Sequence, residues 1–327
     1  MQNEINPVRN QVDNDNTSSK VCDISNGIKI FCAKDWVNYE MLDTGDGEKL
    51  ERFGKYTFVR PFEDAVWSKT LTKEVKEKWA KADGKFWSSK VGAKAGWKMN
   101  TVQSRTLHKW EMEYKGIKFF ASPTPFRHMS FFPEQASHWD FIETRLRNAP
   151  ARQGKIKFLN LFGYTGLASL FALRAGAEVT HVDASKLSVA LAKENQKLNP
   201  ELAKRPMRVI VDDVIKFLER EIKRGNKYDA IIMDPPKFGR GPKGEVWKLE
   251  ENLGKLLELS RKVLSDKPLF VILNSYAVDS SSLPLGYALK DAMRDLQGEV
   301  TAGELCLFEK AKGRLIPLSN TAIWEKI

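Results

Sequence analysis

"KIKFLNLFGYTGLASLFALRAGAEVTHVDAS" runs from Lys155 to Ser185, and its reading decides the fold. "KIKFLNLF" is the short apolar run of a buried strand, "GLASLFALRAGA" has the length and composition of a helix, and "EVTHVDA" is strand-like again. The alternation continues downstream: "KLSVALAKENQKLN" reads as helix, "MRVIVDD" as strand, "VIKFLEREIKRG" as helix, "YDAIIMD" as strand, "KLEENLGKLLELSRKVL" as helix and "PLFVILNSY" as strand. Strands regularly separated by helices specify parallel βαβ units and a doubly wound α/β sheet. The closing "GELCLFEKAKGRLIPLSNTAIWEK" holds two strand-like runs with no helix between them. That pattern predicts an antiparallel hairpin at the sheet edge.

Upstream the character changes. "FFPEQASHWDFIETRLRNAP" predicts a helix with Pro133 in its first turn and Pro150 at its close. Before it, short apolar groups separated by turn signals, such as "LDTGDGEKLERF" and "GKYTFVRPF", predict strands and hairpins. "HKWEMEYKGIKFFASP" predicts another hairpin, turning at Lys115-Gly116. The expected organisation is a flexible leader over 1–20, a smaller β-rich and basic domain over 21–125, and an α/β domain over 126–327.

The chain has 327 residues, is 42% hydrophobic and carries a formal net charge of +11. No apolar run approaches the roughly twenty residues of a membrane helix, and the polar start lacks the apolar core of a signal peptide, so the cytoplasm is the expected compartment. Cys22, Cys32 and Cys306 show neither CxxC pairing nor zinc spacing, so no disulfide and no metal are expected. Residues 65–130 hold 14 Lys/Arg against 5 Asp/Glu, with five of the nine tryptophans. Cations interleaved with aromatic rings suit a polyanion such as RNA; a solvated lysine-rich helix face with its tryptophans turned inward fits equally well. No oligomeric state is read from the sequence.

In an open parallel sheet, ligands bind beyond the carboxyl ends of the strands. Four such ends carry suitable groups. "NLFGYTG" (Asn160–Gly166) offers a G-x-x-G turn, short of the G-x-G-x-x-G of a dinucleotide site, and any βα turn can carry such glycines. Asp183, at the end of the next strand, can accept a ribose hydroxyl or cap the following helix, a role that also suits Ser185. Asp212 and Asp213 end the third strand, where a carboxylate can accept from an adenine amine or cap a helix. Asp234 ends the fourth and opens "DPPKFGRGPKGEVW".

Together, "NLFGYTGLASLFALRAGAEVTHVDAS", "VDDVIKFL" and "YDAIIMDPPKFGRG" resemble the class I S-adenosylmethionine-dependent methyltransferases. More narrowly they resemble the ribosomal RNA large-subunit methyltransferase family, which includes 5-methylcytosine and 7-methylguanine enzymes. The resemblance covers Phe126 to the C-terminus. It implies a Rossmann-like seven-stranded sheet with an antiparallel last strand, S-adenosyl-L-methionine as cofactor and RNA as partner. It implies that Phe162, Gly163, Tyr164, Thr165 and Gly166 wrap the methionine part. Asp183, with Ala184 and Ser185 after it, would hold the ribose, and Asp213 with Val214 would contact adenine. "FFPEQASHW" looks like the segment that closes over the cofactor, through Phe132 and Gln135.

Methyl transfer from a sulfonium is a direct displacement with a neutral leaving group, so placing the nucleophile in line supplies much of the catalysis. Asp234, Pro235, Pro236 and Lys237 are the expected catalytic floor: the prolines restrict φ, and the carboxylate and exposed carbonyls can accept from a base's amino edge. Phe238, Arg240, Asn274 and Tyr276 are the expected substrate contacts, though Tyr276 could equally be packing, and Gly239, Gly241 and Gly244 fit a mobile, phosphate-binding lid or a flexible solvated loop. Carbon-5 methylation of cytosine needs a cysteine thiolate, and relatives that do this carry it after the fifth strand, where this chain has Asn274-Ser275-Tyr276. The absence favours a base nitrogen. Alternative readings are methylation of a protein or small molecule, or a non-catalytic RNA-binding protein of this fold.

Overall fold

The computed structural model describes residues 27–88, 95–100, 109–276 and 281–327. The N-terminal half contains β1 (Lys29–Cys32), β2 (Tyr39–Gly45), β3 (Glu48–Phe53), β4 (Tyr56–Pro61), helix α1 (Lys73–Ala80), β5 (Gly84–Ser88) and β6 (Ala95–Met99). A separate hairpin pairs β7 (Trp110–Tyr114) with β8 (Ile117–Ala121) around Lys115 and Gly116, both at positive φ as a tight hairpin turn requires. A 3-10 turn over Pro133–Gln135 then runs directly into α2 (Ala136–Arg147).

The alternation predicted from the sequence follows: β9 (Lys157–Leu161), α3 (Leu167–Arg174), β10 (Glu178–Asp183), α4 (Lys186–Lys197), the short α5 (Pro200–Ala203), β11 (Met207–Val211), α6 (Val214–Lys223) and β12 (Ala230–Met233). A small hairpin, β13 (Phe238–Arg240) with β14 (Val246–Lys248), precedes α7 (Leu249–Val263), β15 (Phe270–Ser275), α8 (Leu283–Ala292), β16 (Glu299–Glu309) and β17 (Arg314–Glu325). The strand order is β11-β10-β9-β12-β15-β17-β16. β9, β10, β11, β12 and β15 are parallel, and β17 inserts antiparallel between β15 and β16.

Both faces of the central strands are covered, which is why they read as continuous apolar runs. Phe158, Ile232, Phe270 and Ile272 pack on one side with Trp139 and Phe171. Leu159, Leu161, Ile231, Met233 and Val271 pack on the other with Phe217 and Leu256. The chain reverses its direction of sheet growth between β9 and β12, so the switch-point crevice opens beyond Leu161 and Met233.

One expectation is corrected here. The C-terminal hairpin does not lie at the sheet edge, because β16 pairs on its outer side with β1 in parallel and, at Glu309, with Met41 of β2. The sheet then continues through β3, β4, β5 and β6. β16 is eleven residues long, and a bare edge of that length would leave a row of unpaired backbone groups. The junction is also polar. Glu309 accepts from the backbone N–H and hydroxyl of Thr44 at 2.6 and 2.7 Å, and the Trp36 indole donates to the Pro133 carbonyl at 3.0 Å.

Beneath that junction Glu51 is fully buried. It accepts from Arg60 through Nε and Nη2, both at 2.7 Å, and from the Tyr39 hydroxyl at 2.8 Å. Burial alone would raise its carboxyl, but the charges of Arg60 and Lys49 and these bonds hold it down to about 2. Arg60 also donates to the Arg127 carbonyl at 3.0 Å, tying β4 to the segment that leads into the crevice.

Candidate active site

The glycine turn is held in an unusual backbone. Phe162 and Tyr164 lie at φ of 57° and 50°, and Gly166 at 88°, so two non-glycine residues occupy the left-handed region within five positions. Such strain clusters where surrounding structure over-determines the chain. Gly163 N donates to the Val182 carbonyl at 2.9 Å, and Tyr164 N to Asp183 Oδ2 at 2.8 Å. The Thr165 hydroxyl donates to the Ser130 carbonyl at 2.7 Å, joining the turn to the 127–135 segment, where Ser130 is itself at φ 65°. A Cβ at Gly163 would run into the buried His181 ring, so this glycine is demanded by the packing beneath it as well as by any ligand above.

At this point of the sheet lies a crevice open to solvent. Phe162, Gly163, Tyr164, Thr165 and Gly166 line one wall, with Leu167 and Ala168 at the start of α3; Phe131, Phe132, Gln135 and Trp139 line another, and Asn160, Ile232 and Asp234 lie between. Gly166 stands at the N-cap of α3 with no side chain to cap it, and Leu167 and Ala168 of the first turn line the crevice. Asn160 donates its amide to the Ser169 hydroxyl at 2.9 Å, and its Oδ1 has no donor among the described residues.

Asp183 accepts from the backbone of Tyr164 and, through Oδ1, of Ser185 at 2.8 Å, while burial raises its carboxyl against those two bonds. Ser185 caps α4 by accepting from Ser188 N at 3.2 Å. Asp213 caps α6 by accepting from Lys216 N at 3.0 Å, and its neighbour Asp212 is paired with Arg220. The capping alternatives read from the sequence are therefore realised for Ser185 and Asp213.

At the end of β12, Asp234 is gripped from two sides. Asn274 Nδ2 donates to Oδ1 at 2.8 Å and Gln135 Nε2 donates to Oδ2 at 3.0 Å. Burial pushes the carboxyl up to about 7 against the Asn274 bond, and the charge of the nearby Glu134 adds to the rise. Glu134 is itself buried and raised, and Gln135 Nε2 lies 3.2 Å from the Tyr276 hydroxyl, whose own pKa burial raises. The Phe132 ring packs at a tilt against those of Tyr276 and Tyr164, with centroids 4.8 and 5.6 Å away.

Where the sequence predicts a mobile lid after the prolines, the structure builds a hairpin. The Trp247 indole donates to the Pro236 carbonyl at 2.7 Å and packs edge-on against Phe162 at 4.9 Å. Gly239 lies opposite Trp247, so the bulky ring and the bare backbone share the inner face. The outer face presents Phe238 and Val246, 55% and 53% exposed, with Arg240 and Lys248.

The chain is 37% identical to an S-adenosylmethionine-dependent methyltransferase from Agrobacterium tumefaciens of known crystal structure, with 91% of this chain and 94% of that one covered at a TM-score of 0.82. The chain belongs to the S-adenosylmethionine-dependent methyltransferases. Among curated relatives of this methyltransferase, ribosomal RNA large subunit methyltransferase K of Neisseria meningitidis is 31% identical over 157 residues, 46% of this chain and 44% of that protein. Ribosomal RNA large subunit methyltransferase I of Tolumonas auensis is 45% identical over 83 residues, 25% of this chain and 21% of that protein. The chain thus spans less than half the length of these curated relatives. No family model matches it.

Of the methyltransferase residues anticipated from sequence, Phe132, Gln135, Phe162, Gly163, Tyr164, Thr165, Gly166 and Asp234 meet around one crevice. Asn274 and Tyr276 join them by hydrogen bonds. Asp183, Ala184, Ser185, Asp213 and Val214 stand beside it at adjacent strand ends, outside its immediate lining, and Pro235, Pro236, Lys237, Phe238 and Arg240 lead away from it into the hairpin. Asn160, Trp139, Glu134 and His138 were not singled out, although the first opens the glycine-turn stretch and the other three lie within "FFPEQASHW".

In the basic segment, the Trp67, Trp79 and Trp97 indoles donate to Thr44, Asp43 and the Thr124 carbonyl, and Trp110 stacks on Phe58. Trp87, 43% exposed, is the member of the five that faces solvent. Lys94 and Arg105 of that segment lie outside the described residues. No described helix is long and apolar enough to cross a membrane.

Proposed function

We propose that this protein transfers a methyl group from S-adenosyl-L-methionine to a nitrogen of an RNA base, with large-subunit ribosomal RNA in the cytoplasm as the substrate. The residues present fit the cofactor. The open N-terminus of α3 and the unpaired Oδ1 of Asn160 suit the carboxylate and ammonium of a methionine moiety. Asp183 uses two of its carboxylate lone pairs on Tyr164 and Ser185 and retains others for ribose hydroxyls. Asp213 and Val214 would border the adenine, with Phe132 and Gln135 closing over the site. When bound, the cofactor supplies an electrophilic methyl on a sulfonium that leaves as a neutral thioether.

The observation that carries the acceptor assignment is the setting of Asp234. Its carboxylate faces the crevice with both oxygens oriented by amides, followed by two prolines that cannot donate. It can accept from an amino group on the base and take up the proton released on N-methylation, a task suited to a group titrating near 7. Carbon methylation would need a nearby thiol. Cys22 lies outside the described residues, and Cys32 and Cys306 lie side by side on β1 and β16, where burial raises both. The outer face of the hairpin, Phe238 and Arg240 with Val246 and Lys248, combines one exposed ring with two cations, a pairing suited to single-stranded RNA. The basic N-terminal half would add phosphate contacts. The names of the curated relatives support ribosomal RNA over a protein or small molecule.

The test is mass spectrometry of modified nucleosides in RNA from cells with and without the protein, together with labelled methyl transfer by the purified chain. One methylated base missing from the depleted cells, methylated on nitrogen, is the expected result. An unchanged nucleoside profile, or a carbon-methylated product, would refute the assignment.

A further inference from the structure

A buried chain of hydrogen bonds runs behind Asp234 and ends on a histidine that the proposed methyl transfer does not itself use. His138, on α2, is fully buried, with Nδ1 2.8 Å from Gln135 Oε1 and Nε2 3.0 Å from the Thr321 hydroxyl on β17. Burial lowers its pKa to about 3, so the ring is neutral and carries one N–H. With Gln135 Nε2 set against Asp234, the amide oxygen faces His138 and can only accept, which puts the ring proton on Nδ1; the single Thr321 hydroxyl hydrogen then has two acceptors in reach, Nε2 and the Leu273 carbonyl at 3.2 Å.

The consequence is directional. With its oxygen engaged by His138, the Gln135 amide presents Nε2 to the opposite side, where it meets Asp234 Oδ2 at 3.0 Å and the Tyr276 hydroxyl at 3.2 Å. A flipped amide would set a carbonyl oxygen against a carboxylate. On the other side of Asp234 the same logic holds for Asn274, whose Oδ1 accepts from the Ser319 hydroxyl at 3.1 Å and whose Nδ2 therefore faces Asp234. Ser319 and Thr321 both belong to β17, so the antiparallel strand sets both amides, one directly and one through the imidazole.

We propose that His138 is a positioning residue, which fixes the orientation of the Gln135 amide and through it the carboxylate of Asp234 that receives the acceptor base. The inference rests on the role of Asp234 proposed above. Glu134 and Tyr276 are the other titratable groups facing Asp234, and neither contacts the His138 ring by hydrogen bond. A purely space-filling histidine would tolerate phenylalanine at no cost to the titration of Asp234; a positioning histidine would not.

The experiment compares His138→Phe and His138→Asn with the unaltered chain, titrating Asp234 by carboxyl-carbon NMR, S-adenosylhomocysteine affinity by calorimetry, and methyl transfer to RNA. In His138→Phe the Asp234 midpoint is expected to move up by about half a pH unit or more, with the loss of one oriented hydrogen bond. The turnover number is expected to fall about tenfold while cofactor affinity stays within about twofold. His138→Asn, which restores an N–H toward Gln135, is expected to recover most of the midpoint and the rate. An unmoved midpoint and rate in His138→Phe overturns the proposal. If that variant does not fold, His138→Leu, an apolar side chain of similar volume with no N–H for Gln135, takes its place and must move the midpoint in the same direction; no movement there overturns the proposal equally. A shifted midpoint in a chain that does not methylate RNA would sustain the positioning role and sink the acceptor reading instead.

Discussion

The pH dependence of methyl transfer offers a direct check on Asp234. Its carboxyl is raised from 3.8 to about 7 by burial, with Asn274 opposing and Glu134 reinforcing the shift. Only the ionised form leaves both oxygens free to accept from a base and to take its proton. Titration about 7 makes roughly one-tenth of the protein competent at pH 6 and nine-tenths at pH 8, so kcat/KM should rise about tenfold between them. Asp234→Asn keeps an acceptor oxygen but cannot ionise; its rate should be about 100-fold lower and flat over the same range. Initial rates of labelled methyl transfer at saturating cofactor give both profiles. The sign for stability is opposite. The folded chain holds this proton where the unfolded chain has lost it, so its stabilising effect is full on the acid side and disappears as pH rises through about 7. The urea midpoint of the unaltered chain should therefore fall relative to Asp234→Asn from pH 5 to pH 8. A flat rate profile in the unaltered chain, or an acid limb that survives in Asp234→Asn, would show that another group controls the reaction.

Three further outcomes follow from the same geometry. Asp183→Ala removes the acceptor for Tyr164 N and Ser185 N as well as the ribose contact, and should weaken S-adenosylhomocysteine binding at least about tenfold by calorimetry. Gly163→Ala drives a methyl into the His181 ring and should cost about 1–3 kcal/mol in urea unfolding, with Asn160 displaced and cofactor affinity lowered alongside. Glu51→Gln leaves the buried Arg60 guanidinium without its hydrogen-bonded counter-charge, and should cost about 3–5 kcal/mol at pH 7. Because the Glu51 carboxyl is held down to about 2, that loss should shrink as pH falls from about 4.5 through 2, which acid-dependent denaturant titrations would register.

The α/β core was legible because its strands are buried on both faces and its helices are long enough to declare their own period, so β9 to β12 and β15 announce themselves locally. The glycine turn and Asp234 were legible because strand ends in a parallel sheet face one crevice. What escaped were features whose partners are far away in sequence. The Gln135–Asp234 and His138–Thr321 bonds span 99 and 183 residues, and no local window around "FFPEQASHW" distinguishes a bridging histidine from a core one. The hairpin β13–β14 was masked by its three glycines, since the side chain that organises it, Trp247, does so through a proline carbonyl and a ring on another element. The edge placement of the C-terminal strands failed for a similar reason: the strands that cover β16 come from the opposite end of the sequence.

That last pairing bears on how the chain is made. Lys29 lies opposite Gly303, and Met41 opposite Glu309, so the early strands emerge from the ribosome long before the strand they join. Closing loops of that length is slow, and until it happens β1 and β2 are exposed as unsatisfied edges. The parallel core around β9 and β12 can assemble first from neighbouring segments, while the N-terminal strands wait for the last hairpin to be synthesised. A chain stalled before Glu299 should therefore hold a protease-sensitive N-terminal half attached to a protected core, and the completed chain should protect both together.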